Sequence, residues 1–215
     1  MYALAMSIFF FIFICFIPLL VCCILFCLFI PGFKTRYGLV ASCIGLISLI
    51  PITLIQFFIL NLPIFDKNNI LSVLVTAIIF NGLVEESVKM IFLLLLPSKK
   101  TTFPVFLSMS LLSGLALGCF ETVIYLFAGF ETIWQRFFTA VLIHTFCAGL
   151  SGIYVWLFKN KKSNSTPFIF ATVLHGLYNF FAGFSGAYRW FSILAILMAI
   201  LECRIWYTKV KNSEI

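Results

Sequence analysis

The sequence predicts an all-α fold, a polytopic bundle of about seven transmembrane helices. Of its 215 residues, 63% are hydrophobic and only 10% are charged, and its mean hydropathy is +1.18. Soluble domains carry about 25% charged residues, so this composition excludes an ordinary soluble domain. The apolar residues also occur in long runs, and a helix satisfies its backbone hydrogen bonds within one such run.

Seven apolar runs are long enough to cross a membrane as helices. A helix needs about 20 residues to cross a hydrocarbon core about 30 Å thick. The runs cover residues 4–30, 37–60, 70–96, 103–129, 131–158, 166–184 and 188–207. They are separated by residues that favour turns, at Pro31-Gly32, Asn61 with Pro63, Pro97-Ser98, Lys159 to Ser165 and Ser185-Gly186. Because no soluble segment remains between them, residues 1–215 are expected to form a single integral-membrane domain.

The net charge of +7 is a signal of membrane topology rather than of nucleic-acid binding. The basic residues stand singly or in pairs at the ends of the apolar runs, not in a phosphate-binding patch. One side of the predicted bundle carries Lys34, Arg36, Lys99, Lys100, Lys159, Lys161, Lys162, Lys209 and Lys211. The other side carries only Lys67, Arg136 and Arg189. The positive-inside rule then places the amino terminus outside and the carboxyl terminus in the cytoplasm.

The third run contains a polar stretch from Asn81 to Lys89. On a helix, Glu85 and Glu86 lie four and three residues before Lys89, and Asn81 lies one turn before Glu85. All four side chains therefore share one stripe. A charge at the bilayer centre costs about 2.5 to 3.5 kcal/mol on insertion scales, so such groups usually face protein or water and serve a function. A structural Glu–Lys pair that fixes helix packing is the alternative.

Three later runs bring further ionisable groups to the same predicted depth. Glu121, His144 and His175 each lie on a stripe of small residues, and Asn179 follows His175 by one turn. The small residues are Ser110, Gly114 and Gly118, then Ala140, Ala148 and Gly152, then Ala171 and Gly183. Such stripes allow close helix packing, so these side chains are predicted to face the bundle interior. A lone histidine is more often a packing residue, but two inward histidines level with three glutamates favour a functional site.

These residue types support hydrolysis of a carbonyl group by either of two routes. Glutamate and histidine are suitable zinc ligands, and a catalytic zinc ion uses three protein groups and leaves one position open. Without metal, a glutamate can act as the general base on water. His175 and Asn179, one turn apart, can donate hydrogen bonds to a developing oxyanion. A serine or cysteine nucleophile is disfavoured, because Ser87 and Ser151 lack a G-x-S-x-G motif and Cys147 has an apolar setting.

Four motifs in succession resemble the PrsW family of intramembrane proteases, which is related to the CAAX-protease and bacteriocin-processing superfamily. They span residues 81–183 and read Glu85-Glu86-x-x-Lys89, Phe120-Glu121-x-x-x-Tyr125, His144 before small residues, and His175-x-x-x-Asn179. The resemblance implies a catalytic core at about residues 70–184.

The same resemblance implies roles for the individual residues. Glu85 and Glu86 would be the catalytic pair, and Glu121, His144 and His175 would complete the site. By likeness to the CAAX-protease group, Glu85 with His144 would activate water, and His175 with Asn179 would stabilise the oxyanion. The candidate zinc ligands are Glu121, His144 and His175.

The activity that the resemblance implies is the first, outward-side cut in a membrane-anchored anti-sigma factor in the bacterial plasma membrane. The expected partners are this substrate and the lipid bilayer, without nucleic acid. One alternative is a proton- or metal-coupled transporter, because inward carboxylates and histidines also build proton relays. No inverted repeat or matching pair of Gly/Pro-broken segments supports that alternative. A non-catalytic immunity or scaffold protein of the same superfamily is the other.

Overall fold

Helices form the described part of the chain. The structure is a computed structural model that describes residues 2–60, 69–127, 133–162 and 164–213, and no strand occurs among them. The helices are α1 (Tyr2–Phe29), α2 (Thr35–Leu60), α3 (Ile70–Thr76), α4 (Val84–Leu93), α5 (Phe103–Phe127), α6 (Ile133–Lys159), α7 (Thr166–Ala182) and α8 (Phe191–Asn212). This architecture confirms the prediction of a polytopic helical bundle.

Among the described residues, six helical segments have the length and hydropathy of a membrane span. They are Phe10–Phe29, Thr35–Phe58, Ile70–Leu93, Phe103–Phe127, Phe137–Lys159 and Gly186–Asn212. The predicted span at residues 166–184 is α7, which has only 17 residues and is therefore about 25 Å long. A helix of that length is at the lower limit for crossing a hydrocarbon core.

Two features of the predicted topology lie outside the described residues. These are the break at Asn61 and Pro63 and the basic residue Lys67. The side chain of Arg136 is likewise outside the description. The orientation of the two termini stays a prediction.

The third span changes its helical geometry in the middle. A π-helical segment, Ala77–Leu83, joins α3 to α4, and the backbone N–H of Val84 bonds to the carbonyl of Ile79, five residues back. π segments are rare and occur mostly as single turns near functional sites. Here the segment directly precedes the two glutamates of α4.

The centre of the bundle is the tightly packed pair α5 and α6. A Cβ atom on Gly118 would lie 2.9 Å from the Cα of Val141, and one on Gly114 would collide with the carbonyl oxygen of His144. The small residues of α5 thus let the two backbones approach closely, as their spacing predicts. This contact fixes the position of His144 along α6.

A second close crossing joins α7 to the π segment. A Cβ atom on Gly176 would lie 2.5 Å from the Cα of Ile78 and 3.0 Å from the carbonyl oxygen of Ala77. A Cβ atom on Gly82 would overlap the carbonyl oxygen of Thr172. Since Gly176 follows His175 directly, this crossing carries the second histidine toward the glutamates of α4.

We expect Gly176→Ala to lower the free energy of unfolding by about 1 to 3 kcal/mol, because the added methyl group would overpack a backbone contact. The measurement is unfolding in detergent, followed by circular dichroism. Gly183→Ala is the matched control, since its added methyl would have no neighbour closer than 3.4 Å. Equal stability of the two variants would contradict the close crossing.

Candidate active site

Four helices bring six ionisable side chains into one cluster inside the bundle. Five of them are at most 5% exposed, and the sixth, Glu121, has a side chain that is 20% exposed. The cluster consists of Glu85, Glu86 and Lys89 on α4, Glu121 on α5, His144 on α6 and His175 on α7. The structure thus brings together five of the six site residues predicted from the sequence, and Lys89 with them.

Glu86 is the most highly connected residue of the cluster. Its Oε1 atom accepts hydrogen bonds from Nζ of Lys89 at 2.7 Å and from Nδ1 of His175 at 2.8 Å. Its Oε2 atom accepts one from Oγ of Ser151 at 2.8 Å. Both carboxylate oxygens are therefore occupied, and Glu86 is fully buried. A carboxylate in this state anchors its neighbours rather than reacting with water.

One ring nitrogen of His175 has a hydrogen-bond partner, and the other has none among the described residues. Because a carboxylate only accepts hydrogen bonds, the Nδ1 atom that contacts Glu86 carries the proton and Nε2 carries a lone pair. Nε2 lies 3.2 Å from Oε2 of Glu85 and has no hydrogen-bond partner among the described residues. Two acceptors therefore face each other in a buried place. A cation between them would satisfy both.

His144 is the second imidazole close to Glu85. Its Nε2 atom contacts Oε2 of Glu121, and its Nδ1 atom lies 3.0 Å from Nζ of Lys89 and 3.8 Å from Oε1 of Glu85. The lysine ammonium only donates, so Nδ1 accepts from it and Nε2 carries the proton toward Glu121. The rings of the two histidines are nearly perpendicular, with centroids 4.9 Å apart. Both imidazoles thus flank the same carboxylate.

The cluster has the composition of a divalent-metal site. Glu85, His144 and His175 each offer one ligand atom, and these atoms all lie within 4.8 Å of one another. Three protein ligands are the usual number for a catalytic zinc ion. The three carboxylates and one ammonium of the cluster leave two uncompensated negative charges if both imidazoles are neutral. The Nε2 atom of His175 has no hydrogen-bond partner among the described residues, and it therefore marks one position at which a metal ion could bind.

This ligand set differs from the predicted one in one member. The sequence predicts Glu121 together with the two histidines, whereas the structure places carboxylate oxygens of Glu85 close to both histidines. Glu121 contacts His144 through the Nε2 atom. Since both nitrogens of His144 already have partners, a metal ion at this residue would replace either Lys89 or Glu121.

Asn179 lies outside the hydrogen-bonded cluster. It is half-buried on α7, one turn beyond His175, and its side chain makes no hydrogen bond within the part of the chain that the structure describes. Asn81 on the π segment is also half-buried. The two amides thus remain available for other contacts.

The sequence indicates Ser151 only as a disfavoured nucleophile, and its contact with Glu86 was not predicted. Ser151 follows His144 by seven residues, which is two helical turns. It therefore lies on the same face of α6 as a predicted site residue, and this spacing was the signal that could have identified it.

A helical membrane bundle with carboxylates and imidazoles gathered in its interior is typical of membrane proteins that carry out chemistry or proton transfer within the bilayer. Within that class, the family model described as PrsW family intramembrane metalloprotease matches residues 34–202. The match covers well over half of the chain, and the chain belongs to this family. It is an intramembrane peptidase and a multi-pass membrane protein. No curated protein and no solved structure matches the chain.

Family membership confirms the resemblance and the enzyme class, and it supports the protease over the transporter and scaffold alternatives. The matched residues include all six predicted site residues. They begin after α1, whose segment Phe10–Phe29 is the least buried of the candidate spans.

We expect Lys89→Met to lower the free energy of unfolding by about 3 to 5 kcal/mol, because it leaves the buried Glu86 carboxylate without its cation. Lys99→Met, at an exposed lysine, is the control and should have no effect. Detergent unfolding monitored by circular dichroism measures both variants. If Lys89→Met were as stable as the control, Glu86 would not depend on this ion pair.

Proposed function

We propose that this chain hydrolyses a peptide bond of a membrane-anchored protein at the cluster around Glu85. The observation that carries the proposal is the meeting of one carboxylate and two imidazoles inside the bundle, with an unpartnered nitrogen on His175. Membership in a family of intramembrane metalloproteases supports the same chemistry. The catalytic core lies within residues 70–184.

Glu85, His144 and His175 would hold the metal ion, and zinc fits their donor atoms best. When bound, zinc supplies the Lewis acidity that polarises a carbonyl group and activates water. Glu86 keeps the proton of His175 on Nδ1, so that Nε2 is free to bind. Lys89 balances the charge of Glu86, so the charges of Glu85 and Glu121 would remain to balance that of the ion.

Glu121 is the residue that we assign to proton transfer. It is the most exposed carboxylate of the cluster, with a side chain that is 20% exposed, so substrate can reach it. Its contact with Nε2 of His144 keeps it next to the reacting centre. A carboxylate in this position can take a proton from the attacking water and pass it to the leaving amine.

Asn179 is the proposed oxyanion donor. Its side-chain amide lies one turn from His175 and has no hydrogen-bond partner among the described residues. Removing one oxyanion donor typically lowers kcat by about 100- to 1000-fold. The amide can therefore contribute a large part of the rate acceleration.

The substrate that we propose is a membrane-anchored anti-sigma factor, cut first on the outward side of a bacterial plasma membrane. This assignment rests on likeness to the family. It agrees with a site built from four helices of a membrane bundle, because a scissile bond must enter or border the membrane to reach it.

Glu85→Ala and His175→Ala are each expected to reduce cleavage by more than about 100-fold, because both remove a proposed ligand, and even outer-shell partners contribute 10- to 100-fold. The measurement is cleavage of a co-expressed single-span substrate, followed by immunoblotting. Glu202→Ala on α8, outside the cluster, is the matched control. Undiminished cleavage by both site variants would end the proposal.

Removal of metal is expected to abolish cleavage and to lower the melting temperature. A ligand at 100 times its Kd stabilises the folded state by about 2.7 kcal/mol. Elemental analysis of the purified protein should find zinc, and added zinc should restore both properties after chelation. Full activity of protein free of metal would assign water activation to a glutamate alone.

A further inference from the structure

The Ser151 hydroxyl departs from the usual behaviour of hydroxyl groups in this bundle. Helical serines and threonines commonly bond to a backbone carbonyl three or four residues earlier on their own helix. Many in this chain do so, including Ser42, Ser48, Ser108, Ser110, Thr122 and Thr145. Ser151 instead donates across to α4, to Oε2 of Glu86 at 2.8 Å. It is fully buried, so this bond is sheltered from water.

The bond determines how the Glu86 carboxylate is oriented. Within the described residues, Ser151 is the donor to Oε2, whereas Lys89 and His175 both bond to Oε1. Without the serine hydroxyl, Oε2 would be buried with no donor, and the carboxylate would be free to rotate. Even a partial rotation would move Oε1 out of line with the Nδ1–H group of His175 and would weaken the hydrogen bond that His175 donates, because hydrogen bonds weaken steeply as they bend.

A continuous chain of hydrogen bonds therefore leads from α6 through α4 to α7. It begins at Oγ of Ser151, passes through the Glu86 carboxylate and ends at Nδ1 of His175. Hydrogen bonds of this kind to the second nitrogen of a histidine set its tautomer and ring orientation in metal sites. The far end of the chain is Nε2, the unpartnered nitrogen that lies 3.2 Å from Glu85.

The packing of α6 on α5 holds Ser151 at the required height. Its neighbour Gly152 lies so close to Ser110 that a Cβ atom there would collide with the Ser110 side chain. The same helix pair positions His144, seven residues earlier on the same face of α6. One contact between helices thus places both a proposed ligand and the serine.

We propose that Ser151 is a positioning residue, which acts through Glu86 to hold Nε2 of His175 ready for the metal ion. The inference rests on the proposed metal site of the peptidase. Ser151 itself touches neither substrate nor metal in this scheme. Its effect is transmitted through one carboxylate.

The test is zinc affinity, measured on the purified protein without substrate by competition with a chromogenic chelator. Ser151→Ala should weaken zinc binding by about 10- to 100-fold, the range found for outer-shell partners of metal ligands. Ser151→Thr keeps the hydroxyl and should restore most of the affinity. Ser108→Ala is the matched control, because Ser108 is also buried and its hydroxyl bonds to Pro104 of its own helix.

A double-mutant cycle separates the proposed route from a general packing effect. If Ser151 acts through Glu86, then Ser151→Ala combined with Glu86→Gln should bind zinc no more weakly than Glu86→Gln alone. If the double variant instead loses zinc affinity by the product of the two single losses, to within about 2-fold, the inference is overturned. Equal zinc affinity of Ser151→Ala and Ser108→Ala would overturn it too, as would a wild-type protein that binds no zinc. Thermal unfolding of each variant shows that the compared proteins are folded.

The cleavage assay distinguishes failure of this inference from failure of the peptidase assignment. If the wild type binds zinc but cleaves no substrate, the proposed function fails while the affinity ratios still decide the role of Ser151. In a cleaving enzyme, Ser151→Ala should lower kcat by about 10- to 100-fold and leave KM nearly unchanged. An unchanged kcat would count against the inference.

Discussion

The Glu86 carboxylate is the group on which the active site depends, because it joins three helices at one point. It accepts hydrogen bonds from Lys89 of its own helix, from Ser151 on α6 and from His175 on α7. A buried carboxylate is costly unless all of its oxygens are satisfied, so the network favours one arrangement of helices over slightly shifted ones. The charge that a membrane interior would otherwise disfavour thus fixes the geometry around Glu85.

Close backbone contacts make this meeting possible. Polar side chains of glutamate and histidine reach only a few ångströms from the backbone, so their helices must approach closely. Gly114 and Gly118 permit this between α5 and α6, and Gly82 with Gly176 permits it between α7 and the π segment. Apolar side chains gain little free energy by moving from lipid into the protein interior. Close packing and interhelical hydrogen bonds are therefore the main sources of helix association in a membrane.

Much of this site follows from helical periodicity, and the rest does not. The spacing of small residues indicated which faces of α5, α6 and α7 point inward, and the structure places Glu121, His144 and His175 there. Periodicity gives no information on rotamers, and so the sequence analysis grouped Glu121 rather than Glu85 with the histidines. It also could not show that the hydroxyl of Ser151 leaves its own helix, because that choice depends on the neighbouring α4.

The π segment determines the direction in which the two glutamates of α4 point. Each residue of an α-helix turns the chain by about 100°, and a π turn holds one residue more than an α turn. The segment Ala77–Leu83 therefore sets the phase of α4 relative to α3. Deleting a single residue there would rotate Glu85 and Glu86 by roughly a quarter of a circle, away from the histidines. The number of residues in this segment, rather than the identity of its side chains, thus determines the direction in which Glu85 and Glu86 point.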